Sequence, residues 1–234
     1  MTSTLIVMTL NELDGRKLIM PRVKREWCDQ ILVVDGGSTD GTVEWAREQG
    51  YEVYVQQNPG IRIAYREALP LATGEVIVTF SPDGNSIPEL IPPLLDKMRE
   101  GYDMVIASRY APGARSEDDD ILTAFGNWLF TRTVNVLHRA RYTDAMVIFR
   151  AYRKQIVYDL ELDRDEGYRR AEKLFHTILS WEPLLSVRAA KRRLRVCEIP
   201  GDEPPRLGGK RKLQMWKWGA GYYFQFWREL FCWR

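Results

Sequence analysis

Short apolar runs alternate with helical patterns through the first half of this 234-residue chain, and that alternation restricts its fold more than any other feature. The runs are "TLIVMTL", "QILVVD", "YEVYV", "EVIVTF" and "DMVIAS". They are largely apolar at consecutive positions, which a strand tolerates where both faces of its sheet are covered. Arg16 to Trp27, Thr42 to Gln49, Ile61 to Ala72 and Pro88 to Glu100 lie between them and read as helices. Strands separated by helices build βαβ units, and right-handed crossovers wind these into a layered structure. The fold class is therefore α/β, with a mostly parallel central sheet and helices on both faces. In such sheets ligands bind beyond the carboxyl ends of the strands.

The second half departs from this rhythm. Ala111 to Asp120 is a loop rich in Pro, Gly and acids, and its run Glu117 to Asp120 reads as solvated and mobile. Ile121 to Arg139 reads as one long helix, "AMVIF" as a further strand, Tyr152 to Arg193 as mostly helical, and "LRVCEI" as the last strand. The turn-rich "PGDEPPRLGGKRK" and an aromatic tail complete the chain. The expected division is a domain over residues 1–213 and a tail over 214–234. A formal net charge of +2 gives no reason to expect a nucleic-acid partner. Cys28, Cys197 and Cys232 are too scattered for a zinc site or a disulfide framework, which favours a reducing compartment. His138 and His176 lie far apart and read as structural. No targeting segment is visible, and no window approaches the roughly 18–20 apolar residues of a spanning helix. The expected location is the cytoplasm, or the cytoplasmic membrane face if the tail binds a surface.

Polar residues collect where the strands end: Asn11-Glu12, then "DGGSTDGT", "QQNPGIR", "SPDGNS" and "RY". In "DGGSTDGT", Ser38 or Asp40 can cap the next helix. Asp35 sits at the strand end itself, where a carboxylate can accept from a base or ribose. The run has neither a GxGxxG nor a P-loop lysine, which argues against a dinucleotide or Walker-type site. In "SPDGNS", Asp83 and Asn85 set two oxygen ligands either side of a glycine. Alone that arrangement slightly favours an Asx-turn ahead of Pro88; with Asp35 on the neighbouring edge it better suits Mg²⁺ or Mn²⁺.

Taken in order, "VVDGGSTDGT", "NPGIRIAYREALPLATGEVIVTFSPDGNSIPE", "GYDMVIASRY", "TDAMVIFRAYRK" and "RLGGKRK" resemble a family 2 glycosyltransferase of GT-A fold. The likeness is to the dolichyl-phosphate and polyprenyl-phosphate mannosyl- or glucosyltransferases. The resemblance implies a nucleotide-sugar donor held by Asn11, Glu12, Asp35, Ser38, Asn58 and Arg62. It implies a divalent Mg²⁺ or Mn²⁺ on Asp83 and Asn85, and Arg109, Arg206 and Lys212 on the reacting phosphates. With Asp83 these cations form the expected catalytic set. Ser81 stands where the family has its first metal-binding acid and carries no charge, so metal affinity is expected to fall. Arg211 stands where the family often has serine.

A lipid-phosphate acceptor is already an anion and needs positioning by Arg109, Arg206, Lys210 and Lys212 rather than deprotonation. A carbohydrate hydroxyl would need a carboxylate base, for which Asp144 and Glu182 are candidates. A nucleotide-sugar-binding protein with weakened catalysis is a third reading, kept open by Ser81. A nucleotidyltransferase is disfavoured by the absence of a Gly-rich, Lys-bearing N-terminal loop. The tail "WKWGAGYYFQFWRELFCWR" holds nine aromatics in nineteen residues. As a helix it aligns Ala220, Tyr223, Phe224, Trp227, Leu230 and Phe231. That stripe suits a membrane interface, packing on the chain's own domain, or a homo-oligomer contact.

Overall fold

In the computed structural model, which describes residues 1–205 and 215–233, the apolar runs of the first half are strands of one seven-stranded sheet. In chain order the elements are β1 (Ser3–Thr9), α1 (Leu13–Ile19), β2 (Gln30–Asp35), α2 (Thr42–Glu48), β3 (Glu52–Val55), α3 (Ile61–Ala68), β4 (Val76–Phe80), α4 (Ile91–Arg99) and β5 (Met104–Ser108). The second half adds α5 (Ile121–His138), β6 (Arg150–Arg153), α6 (Gln155–Asp159), α7 (Arg169–Phe175), α8 (Glu182–Lys191), β7 (Val196–Pro200) and α9 (Met215–Cys232). The sheet order is β3-β2-β1-β4-β6-β5-β7. All pairings are parallel except those of β6, which is antiparallel to both neighbours.

The consecutive apolar residues have the expected cause. Along β1, Leu5 and Val7 face one core and Ile6 the other; along β4, Val76, Val78 and Phe80 oppose Ile77 in the same way. One core is closed by α1, α2 and α4, the other by α3, α6, α8 and α9.

Several expected boundaries shift. The first helix stops at Ile19, and single 3₁₀ turns at Met20–Arg22 and Arg25–Trp27 replace its second half; Pro21 cannot donate to a continuing helix. The third ends at Ala68, and Pro70 has no N–H to carry its hydrogen-bond ladder further.

"AMVIF" is not the strand; β6 begins at Arg150. The Asp144 carboxylate takes the N–H groups of Met146 and Val147 at 3.1 and 3.2 Å, so these donors are unavailable to a ladder.

The acidic run Glu117 to Asp120 is fastened rather than loose. Asp120 caps α5 by accepting from the Thr123 N–H at 2.7 Å. Asp119 accepts from the Tyr110 hydroxyl. The Glu117 N–H donates to the Glu203 carbonyl at 2.8 Å.

The aromatic tail packs as α9 against α5, α7 and α8. Its buried face is Tyr222, Gln225, Phe226 and Glu229, with Trp233 just beyond its end, all in the core. Of the expected stripe, Tyr223, Trp227 and Phe231 are exposed, while Ala220, Phe224 and Leu230 are half-buried.

Candidate active site

The register brings the loops to one edge. Thr9 pairs with Asp35, Val7 with Phe80, and Ser108 with Pro200. The carboxyl ends of β1, β2, β4, β5 and β7 thus open on the same side.

The first two loops are stitched together. Asp35 is fully buried, and its Oδ1 accepts from the Gly37 and Ser38 N–H groups at 2.9 and 2.7 Å. Its Oδ2 accepts from the Ser38 and Thr9 hydroxyls at 2.7 and 2.9 Å. A carboxylate has about four acceptor positions, so Asp35 is fully used in shaping this turn. Gly37 has φ +90°, a conformation glycine adopts freely.

Asn11 accepts from the Thr39 N–H and donates its own N–H to the Ser38 hydroxyl, each at 2.8 Å. The Glu12 N–H faces the Thr42 hydroxyl at 3.4 Å. Asp40 receives the Leu13 and Thr42 N–H groups at 3.1 Å. Its carboxyl is held below the ordinary range by the hydrogen bonds of Thr42 and Leu13, against a burial that would raise it.

Behind this loop pair lies Arg16, wholly buried, with Nη1 on the Thr42 carbonyl at 2.9 Å. Its Nε and Nη2 make no hydrogen bond among the described residues. Burial lowers its pKa, opposed by the charges of Asp35, Glu12 and Asp40.

The turn after β4 lies against α1, where a Cβ on Gly15 would stand 2.9 Å from the Pro82 carbonyl oxygen. Asp83 is buried at 7% exposure, and Gly84 takes φ +95° to turn the chain. The Asn85 N–H faces Asp83 Oδ1 at 3.4 Å. Asp83 and Asn85 offer a carboxylate and a carboxamide, oxygen donors that fit a hard divalent ion. Among the described residues no three His, Cys, Asp or Glu side chains gather as a metal site.

Arg109, just past β5, is gripped by Asp144 through Nε at 2.6 Å and Nη2 at 3.1 Å. Asp144 is fully buried, and its own N–H donates to Glu198 on β7 at 3.0 Å. Burial would raise the Asp144 carboxyl, but the charge and hydrogen bonds of Arg109 hold it below the ordinary range. Burial would likewise lower the Arg109 guanidinium, but Asp144 and Glu203 raise it further above its usual value. Nη1 of Arg109 is left facing Glu203 Oε1 at 3.4 Å. Glu203 also takes the Ser116 hydroxyl on Oε2 at 2.5 Å and faces the Asn85 amide at 3.4 Å. Its carboxyl is pushed up by burial, an effect that Arg109 and Ser116 only partly offset.

A cavity of ≈ 460 Å³ opens here, lined by Ile87, Arg115, Glu117, Asp202 and Glu203. A smaller one, lined by Asn85, Arg109 and Glu203 among others, shares Asp202 and Glu203 with it.

The expected residues thus divide. Asn11, Glu12, Asp35 and Ser38 form one stitched loop pair, and Asp83, Asn85 and Arg109 meet beside it. Two others are engaged by acids of the chain itself. Arg62 is 3% exposed and spends its guanidinium on Asp165 at 2.8 Å and Glu172 at 2.9 Å, while it stacks on Tyr168. Its nitrogens are engaged by these acids, so it fastens α3 to α7 rather than offering charge to a phosphate. Asn58 is exposed and turns its amide back to Glu67 on α3 at 2.8 Å. Arg206, Lys210 and Lys212 lie outside the described residues. Sequence reasoning passes over Glu203, whose "PGDEPP" setting reads as a polar turn. Its one signal is its place three residues beyond the last strand on the ligand-binding edge.

Comparison with known proteins extends these observations. A family model described as Glycosyl transferase family 2 matches residues 4–160. A dolichyl-phosphate hexose transferase of Haloferax volcanii is 32% identical over 191 residues, covering 82% of this chain and 76% of that protein. Glycosyltransferase AglJ of the same organism is 29% identical over 209 residues, covering 88% of this chain and 64% of its own length; the chain thus spans just under two thirds of that relative. A polyprenol monophosphomannose synthase of Mycolicibacterium smegmatis is 30% identical over 218 residues, covering 83% of this chain and 74% of that protein. In structure, the chain resembles glucosyl-3-phosphoglycerate synthase from Mycobacterium tuberculosis in complex with Mn²⁺, uridine diphosphate and phosphoglyceric acid. The TM-score is 0.68 at 17% identity, over 98% of this chain and 78% of the other. That likeness shows a shared fold.

Proposed function

The chain belongs to glycosyl transferase family 2, and from that premise we propose that it moves a hexose from a nucleoside-diphosphate sugar to a polyprenyl phosphate. The observation that carries this reading is Arg109, a half-buried guanidinium fixed through two nitrogens by Asp144, on the small cavity that Asn85 also lines. Relatives named for dolichyl and polyprenol phosphates support the same acceptor class.

The transfer needs few protein groups. The bond from the anomeric carbon to the diphosphate breaks, and its electron pair stays on the diphosphate. An oxygen of the acceptor phosphate bonds to that carbon, giving a lipid-linked hexose and a nucleoside diphosphate. When bound, a divalent ion on Asp83 and Asn85 supplies positive charge to the departing diphosphate. Arg109 offers a fixed donor where negative charge develops, which costs little reorganisation. The loop pair of Asn11, Glu12 and Ser38, shaped by Asp35, holds the nucleoside. Arg206 and Lys212, outside the described residues, are the further candidates for the acceptor phosphate.

A hydroxyl acceptor is less well served. Asp144 has its carboxyl lowered and tied to Arg109, and Glu182 is 1% exposed, in contact with the Ser180 hydroxyl inside the core. Neither suits a general base at a solvent-reached acceptor.

The acceptor's lipid also accounts for an exposed aromatic surface. Ile121, Phe125 and Trp128 on α5, and Trp216, Tyr223, Trp227 and Phe231 on α9, face outward, and the two helices meet at Phe130. Among the described residues no helix is long and apolar enough to cross a membrane. This surface rests on the membrane interface as an amphipathic contact.

The test is to incubate the purified chain with GDP-mannose or UDP-glucose, a polyprenyl phosphate and Mn²⁺ or Mg²⁺. A solvent-extractable hexosyl lipid is the expected product. Transfer to a sugar hydroxyl alone, or nucleotide binding without turnover, would overturn this reading in favour of one of its alternatives.

A further inference from the structure

Ser81 leaves the turn after β4 with one carboxylate, Asp83, where a cation and a diphosphate must be held together. Fold topology brings a second acid there from a distant part of the chain. Glu203 lies just beyond β7, and its main chain is locked to the loop before α5. Its N–H donates to the Arg115 carbonyl, and its carbonyl accepts from the Glu117 N–H, each at 2.8 Å. The residue is 8% exposed, a costly setting for a carboxylate without strong partners. Yet its two oxygens are unequally used. Oε2 takes the Ser116 hydroxyl at 2.5 Å. Oε1 has Asn85 Nδ2 and Arg109 Nη1, both at 3.4 Å, beyond the usual range of about 2.7–3.2 Å.

We propose that Glu203 supplies the second protein carboxylate of the divalent-cation site, taking the part that Ser81 cannot. This rests on the transfer reading above. Turning the Asn85 carboxamide by half a turn exchanges its nitrogen for its oxygen. Two oxygens, Asn85 Oδ1 and Glu203 Oε1, then face each other across the 3.4 Å now spanned by an amide. Neighbouring ligands of an octahedral ion with bonds of about 2.1 Å stand roughly 3.0 Å apart, so a contraction of a few tenths of an ångström seats the ion. The bond from Ser116 to the other oxygen is untouched, and Arg109 keeps both contacts to Asp144. Glu203 is thus a pre-aimed ligand whose displaced contacts are weak.

The experiment is Mn²⁺ titration by electron paramagnetic resonance of the full chain with UDP, and separately with GDP. Glu203→Gln keeps an acceptor for Ser116 but removes the charge. It is expected to weaken Mn²⁺ binding tenfold or more with little change in melting temperature. Adding Ser81→Asp to that variant should recover much of the loss. Unchanged Mn²⁺ affinity in Glu203→Gln overturns the proposal. If that variant does not fold, Glu203→Asp, which keeps the charge but shortens the reach, should show a similar loss, and unaltered affinity there is equally fatal. A wild-type chain that binds nucleotide but no Mn²⁺ removes Glu203 from this role and leaves transfer standing without a metal. Failure to bind either nucleotide removes both.

Discussion

Asp144 is the residue on which the candidate site turns, although it touches no open surface. It fixes Arg109 through two bonds and receives the backbone of Met146 and Val147. Removing one member of a buried pair strands the other charge, at a cost of about 3–5 kcal/mol. Asp144→Ala is therefore expected to lose stability of that order in urea unfolding, and to lose transfer with it.

Arg62 offers a second check, through pH. Its hydrogen bond holds the Asp165 carboxyl below the ordinary range, against some burial. A carboxylate with a lowered folded pKa stabilises the fold above its unfolded value of about 3.9. That contribution is lost as pH falls through the folded value. The stability difference between wild type and Arg62→Met should accordingly shrink below about pH 4, which urea midpoints across pH 2–7 would measure. Arg62 also shows where residue-level legibility ends. Its place after the third strand reads as a ligand cation, and only α7 and the turn before it, arriving more than a hundred residues later, reveal the acids that occupy it.

At the scale of elements, the site is a matter of loops held by neighbouring helices. The approach of α1 to the turn after β4 depends on Gly15, where a methyl group would meet the Pro82 carbonyl oxygen at 2.9 Å. Gly15→Ala should push that turn and Asp83 outward. The expected result is a clear loss of metal-assisted nucleotide binding by calorimetry, with a smaller loss of stability, because α1 can yield slightly. Equal binding in both proteins would detach α1 from the site. The strands and their order of loops are legible because consecutive apolar residues report burial on both faces. The misplaced strand at "AMVIF" is a failure of the same signal, since these residues are apolar for packing while Asp144 consumes the hydrogen bonds a ladder would need.

For the whole molecule, α9 has two faces with different tasks. Phe226 is fully buried, and truncating such a side chain costs about 3–5 kcal/mol. Trp227 and Phe231 face outward, at 46% and 79% exposure, so alanine there should change stability by no more than about 0.5 kcal/mol. Vesicle flotation with anionic lipid would separate the two. The double variant Trp227→Ala/Phe231→Ala should fold normally and float poorly, and transfer to a long-chain acceptor should fall more than to a soluble short-chain phosphate. Normal flotation, or loss of a dimer in size-exclusion chromatography, would assign this surface elsewhere.

The sequence by itself determined the doubly covered sheet, the edge on which polar residues collect and the family to which the chain belongs. These follow from local patterns: apolar runs, turn residues, and motifs in a fixed order. Tertiary structure alone decided the antiparallel insertion of β6, the capture of Arg109 by Asp144 and of Arg62 by Asp165 and Glu172, and the arrival of Glu203 beside Asn85. A charged side chain takes the partner nearest in space, and for these residues that partner lies 35 to 118 positions away along the chain, beyond the reach of any spacing rule.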